Sequence, residues 1–89
     1  MKEAQVNITN KLGLHARAAA KVVHIANEFA ADVFIGTEFE VVNAKSILGL
    51  LTLAATKGTT VIIRADGSDE DQAIDMLVEL FLDKFGEGQ

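Results

Sequence analysis

Apolar and polar residues alternate through Ala4-Gln5-Val6-Asn7-Ile8-Thr9, the period-two signature of a strand with one buried face. Asn10 to Gly13 interrupt it as a loop, and over residues 16–31 the period becomes helical. Arg17, Lys21, His24 and Glu28 then share one stripe, with Ala19, Val22, Val23, Ala26, Phe29 and Ala30 opposite. Residues 32–35 and 38–42 flank Gly36-Thr37 and predict a hairpin. Ser46 precedes a short apolar helix expected to stop near Lys57-Gly58, and residues 59–65 are β-branched and strand-like. Asp66-Gly67 reads as a turn. Ser68 with Asp71 resembles a capping box opening a last helix that buries Ile74, Leu77, Val78, Phe81 and Phe85 and ends at residues 84–86. The predicted order is βαββαβα. Alternation in the first and third strands implies a two-layer α/β sandwich, a sheet with one wet face and helices on the other.

Composition narrows the chemistry. A chain of 89 residues favours one domain over residues 1–89, hiding roughly 60–70% of the surface its unfolded form exposes. The lack of cysteine excludes disulfides, thiolate metal sites and thiol catalysis. With no tryptophan or tyrosine and a net charge of -5, the chain is poorly suited to nucleic acid or anionic membranes. No apolar signal core follows Met1, and the longest apolar run, residues 47–55, is broken by Gly49 and Thr52 and too short to span a bilayer. The expected location is the cytoplasm.

Gly13-Leu14-His15-Ala16-Arg17 places an imidazole at the first turn of a helix. Free backbone N–H groups and the helix dipole make such a terminus an anion site. A neutral ring nitrogen held there is a nucleophile toward phosphorus. Gly13 permits a tight turn, Ala16 is small enough to leave its N–H open, and Arg17 offers donors suited to a phosphoryl group. The bland alternative is a histidine that only caps its helix. His24 gets that bland reading: it shares a solvated stripe with Lys21 and Glu28 and has no partners at ligand spacing.

The second helix holds more apolar residues than one face can bury. At helical spacing Leu50, Leu53 and Ala54 form one side and Ile47, Leu48 and Leu51 another, which predicts an exposed patch of the kind that meets partners. Ser46 occupies the N-cap, where serine is favoured for its hydrogen bonds alone. Phosphorylation there is compatible with the helix dipole and sets a negative charge beside the patch.

Two segments, Gly13-Leu14-His15-Ala16-Arg17-Ala18-Ala19 and Asn43-Ala44-Lys45-Ser46-Ile47-Leu48-Gly49-Leu50, resemble the two signatures of the HPr family, the histidine-containing phosphocarriers of the bacterial sugar phosphotransferase system. The resemblance covers nearly the whole chain. It implies an open-faced sandwich, three helices on one face of a four-stranded antiparallel sheet ordered 1-4-2-3. It further implies that His15 accepts a phosphoryl group on Nδ1 from enzyme I and passes it to enzyme IIA components. Ala16 and Arg17 would bind the phosphate, and Ile47, Leu48 and Leu51 would dock enzyme I and other partners. Ser46 matches the site of the HPr kinase/phosphorylase, which implies a link to carbon catabolite regulation and a catabolite-control transcription factor. Many sugar-system members have proline at the position of Ala18; alanine preserves the helix, and the sugar and nitrogen branches both stay open.

The leading expectation is therefore a monomeric phosphoryl carrier that needs partner enzymes and no metal or other cofactor. A small phosphatase would need a group to activate water beside His15, and the neighbouring sequence offers none. A purely regulatory protein acting through Ser46 and the patch would have no use for His15 and Arg17.

Overall fold

The structure is a computed structural model that describes residues 1–53 and 55–87. Four strands, β1 (Lys2–Asn7), β2 (Asp32–Gly36), β3 (Val41–Asn43) and β4 (Thr60–Asp66), form one antiparallel sheet in the order β1-β4-β2-β3. Three helices, α1 (Ala16–Ala26), α2 (Ile47–Leu53) and α3 (Glu70–Leu82), complete the βαββαβα order, and a 3₁₀ turn over Lys84–Gly86 follows α3. The strand order follows from pairing β4 with both β1 and β2, so Val6 lies opposite Val61 and Ile35 opposite Ile63.

Alternation carries the layering. Val6, Val33, Ile35, Val61, Ile63 and Ala65 are buried beneath the helices with Val22, Leu50, Leu77 and Phe81. The other face is mixed rather than uniformly wet: Phe34, Ile62 and Arg64 are half-buried there, and Arg64 Nε donates to Glu3 Oε2 across β1 and β4 at 2.6 Å. Burying a side chain such as Leu50 or Phe81 contributes about 1.5–3 kcal/mol, so the helical layer is held mainly by this face.

Several local expectations need correction. The first helix ends at Ala26, five residues early, because the chain tightens: Glu28 N–H donates to Ile25 O and Phe29 N–H to Ala26 O. The Asp69 carboxylate then takes the N–H groups of Ala30 and Ala31, both at 2.9 Å, and draws them toward β2. No capping box forms from Ser68 and Asp71. The N-cap of α3 is Asp69, whose side chain is committed to Ala30 and Ala31, while Glu70 Oε1 accepts from Gly67 N–H at 3.1 Å. Gly36 lies within β2 instead of in the turn; a Cβ there would meet Val41 Cγ2 at 2.8 Å, so close strand approach explains it. The helix after Ser46, described over Ile47–Leu53, does not extend to Lys57-Gly58, which instead form a turn anchored by Gly58 N–H donating to Ile8 O at 2.8 Å. Ala54, placed with Leu50 and Leu53 in the sequence reading, lies outside the described residues.

Candidate functional site at the first helix

The loop before α1 is built on Asn10, which is fully buried and donates from Nδ2 to Gly13 O at 2.9 Å. Gly13 has φ +64°, and a Cβ there would stand 2.5 Å from Ala55 O. Glycine is thus required both by the backbone angle and by the close passage of the chain after α2. Leu14 N–H donates to Ala55 O at 2.8 Å and its side chain is buried, which fixes where α1 begins.

His15 is the N-cap of α1, in extended conformation, with its carbonyl accepting from Ala19 N–H at 2.8 Å. Its side chain is 24% exposed. Arg17 N–H donates to His15 Nδ1 at 3.3 Å, so the imidazole performs the capping usually left to a serine or aspartate. Nδ1 therefore presents a lone pair, not a proton, by the logic of the hydrogen bond it accepts. The N–H of Ala16 has no backbone partner among the described residues, and Ala16 and Arg17 are both exposed. Ala18 is completely buried.

The other ring nitrogen meets a residue the sequence reading missed. His15 Nε2 donates to Glu87 Oε2, and Glu87 Oε1 accepts from Asn10 Nδ2 at 2.8 Å. Burial works to raise the pKa of Glu87. The hydrogen bonds from Asn10 and His15, then the charges of His15 and Lys21, outweigh it and hold the carboxyl below the usual glutamate range. The only local sign of Glu87 was a phenylalanine and glycine just past a helix end. Lys11, Leu12, Arg17, Lys21, Gly86 and Glu87 line a cleft of about 400 Å³, a basic rim on a chain of net charge -5.

The second motif is at the start of α2. Ser46 Oγ accepts from Gly49 N–H at 3.2 Å and Ser46 O from Leu50 N–H at 3.1 Å, so serine is the N-cap as expected. Leu50 and Leu53 face the core, whereas Ile47, Leu48 and Leu51 are 39%, 72% and 38% exposed. The helix is apolar on two sides, and only one is covered. Helices α1 and α2 pack together, but Ser46 makes its bonds within its own turn. His24 is exposed on the outer stripe of α1, as read. Among the described residues no group of three or more acidic or histidine side chains is placed to hold a metal ion, and no helix is long and apolar enough to cross a membrane.

Fold and site together define a small open-faced sandwich that presents an N-cap histidine from its first helix. The family model for the PTS HPr component phosphorylation site matches residues 2–83. The phosphocarrier protein HPr of Xylella fastidiosa is 47% identical over 87 residues, 98% of each chain. That of Cupriavidus necator is 45% identical over 89 residues, the full length of both. The crystal structure of HPr from Thermoanaerobacter tengcongensis superposes with a TM-score of 0.94 at 45% identity, covering 98% of each chain. The chain belongs to the HPr family of phosphocarrier proteins, a family of carriers and not of enzymes.

Proposed function

We propose that this protein carries a phosphoryl group on Nδ1 of His15, receiving it from phospho-enzyme I and delivering it to enzyme IIA components of the phosphotransferase system. The observation that carries the reading is the Nδ1 lone pair held at the N-terminus of α1 beside the N–H groups of Ala16 and Arg17. In the step, that lone pair forms an N–P bond while the bond from phosphorus to the donor atom breaks, its electron pair leaving with the donor. Arg17 N–H, displaced from Nδ1 as the lone pair is used, turns to a phosphoryl oxygen, and Ala16 N–H and the Arg17 guanidinium solvate the rest. The protein supplies positioning and charge compensation; transfer is reversible because both ends of the exchange are activated phosphoryl groups.

Ser46 is the regulatory site in this reading, a substrate of the HPr kinase/phosphorylase. A phosphate on it adds a charge of about -2 beside Ile47, Leu48 and Leu51, the patch that docks enzyme I, and so lowers transfer to His15. The carrier acts as a cytoplasmic monomer. Incubation with enzyme I and labelled phosphoenolpyruvate tests the reading. The expected result is one acid-labile phosphate per chain, lost in His15→Ala. Continuous release of inorganic phosphate, or label that survives His15→Ala, overturns it.

A further inference from the structure

We propose that Glu87 is a positioning residue of the His15 site, keeping the proton on Nε2 and balancing the positive charge the ring gains when Nδ1 forms its bond to phosphorus. The second half rests on the reading of His15 as phosphoryl acceptor; the first does not. A histidine's tautomer is set by the partner of its far nitrogen, and here that partner is a carboxylate. With the proton committed to Nε2, Nδ1 is left to accept from Arg17 N–H and holds its lone pair toward the helix N-terminus. As that lone pair is drawn into the N–P bond, no proton moves: Nε2 keeps its hydrogen, the ring becomes cationic, and the Glu87 carboxylate already lies against it. The arrangement follows the logic by which a buried carboxylate orients and supports the histidine of a hydrolytic triad.

The carboxylate is held in place from several sides, which separates a built contact from a chance one. Asn10 Nδ2 donates to its second oxygen from the loop that also positions Gly13. Two residues back, Phe85 is buried with its ring edge-on to Phe81 at a centroid distance of 4.9 Å. Lys21 Nζ, on the same helix as Arg17, donates to Phe85 O. Lys84 and Phe85 adopt φ of +54° and +56°, an unusual pair for residues other than glycine. This left-handed pair reverses the chain after α3 and returns Glu87 to the site; its conformational cost is offset by the buried ring and the three polar ties. The side chain of Glu87 is only 15% exposed.

Long-range proton–nitrogen correlation spectra of the full chain, with ¹⁵N-labelled histidine, read the tautomer directly, and the exposed His24 serves as internal reference. At a pH where both rings are neutral, wild-type His15 is expected to show a bare Nδ1 and a protonated Nε2. In Glu87→Ala the two nitrogen shifts of His15 should move toward each other while those of His24 stay fixed. Glu87→Asp should restore part of the wild-type pattern. Unchanged His15 shifts in Glu87→Ala overturn the proposal. Glu87→Gln, of equal volume, keeps an acceptor without charge; it is expected to retain the tautomer yet slow phosphoryl uptake from enzyme I about tenfold. Uptake at the wild-type rate in Glu87→Gln overturns the charge-balancing role. If no variant, wild type included, takes up phosphate while the tautomer still responds to Glu87, the carrier reading fails and the positioning role stands.

Discussion

Helices α1 and α2 both begin on a side chain that takes a phosphoryl group in the proposed function, and they begin in opposite ways. At α1 the capping atom is the nucleophile of the proposed transfer: Nδ1 of His15 accepts one N–H at 3.3 Å, a long bond that a better electrophile displaces. The far side of that ring is anchored by Glu87 and Asn10, so the reacting atom is oriented without being consumed. At α2 the capping atom of Ser46 is an ordinary hydroxyl with, among the described residues, no base hydrogen-bonded to it and no second anchor. In the proposed carrier, one terminus is prepared for transfer and the other waits on a separate enzyme. On that reading a phosphate at the first is cargo, and at the second it is a signal, because the charge lands beside an apolar surface.

That contrast can be broken most severely at Ser46. Ser46→Asp is expected to slow phosphorylation of His15 by enzyme I more than tenfold while far-ultraviolet circular dichroism stays that of wild type. An unchanged rate removes the signalling half of the comparison. The two sides of α2 sharpen it next. Leu50→Ala, in the core, should cost about 2–5 kcal/mol in urea unfolding. Leu48→Glu, on a side chain 72% exposed, should stay within about 0.5 kcal/mol of wild type yet weaken enzyme I binding in calorimetry. A large stability loss from Leu48→Glu would make the patch part of the core.

The smallest effect lies at the third helix start, where Asp69 serves the fold alone. Hydrogen bonds from Ala30 and then Ala31 outweigh burial and keep its carboxyl below the usual aspartate range. A depressed folded-state pKa contributes stability that is present above the unfolded value and lost as pH falls through the folded one. Asp69→Asn should therefore lower Tm at neutral pH, and the gap to wild type should close as the pH is taken below the ordinary aspartate range. A gap independent of pH would show that the charge of Asp69 is not what ties α3 to the start of β2.

Much of this was legible in one dimension. Period-two alternation identified β1 and the buried side of Val6 and Ile8, because a strand's faces are assigned by its own pleat, but it misread the third strand: β3 is only Val41–Asn43, and Phe39 and Val41 are exposed. The surplus of apolar residues in α2 announced an uncovered side, since one face of a short surface helix cannot bury Ile47, Leu48 and Leu51 together with Leu50 and Leu53. Boundaries were less legible. The end of α1 depends on Asp69, which hydrogen-bonds Ala31 from 38 positions away, and the same bond removes that carboxylate from the capping of its own helix. Local propensity has no access to such a competition.

The sequence by itself determined the element order, the buried face of β1, and the two helix caps at His15 and Ser46, because each rests on neighbours within a few residues. Only the tertiary structure decided which ring nitrogen is free. That choice is made by Glu87, 72 positions from His15, and by Asn10, 77 positions from Glu87, groups that meet because the chain reverses after α3 and seats Phe85 in the core. Periodicity records the environment of a residue along its own helix or strand; a hydrogen bond across the molecule depends on where packing brings the ends, and leaves no local pattern behind.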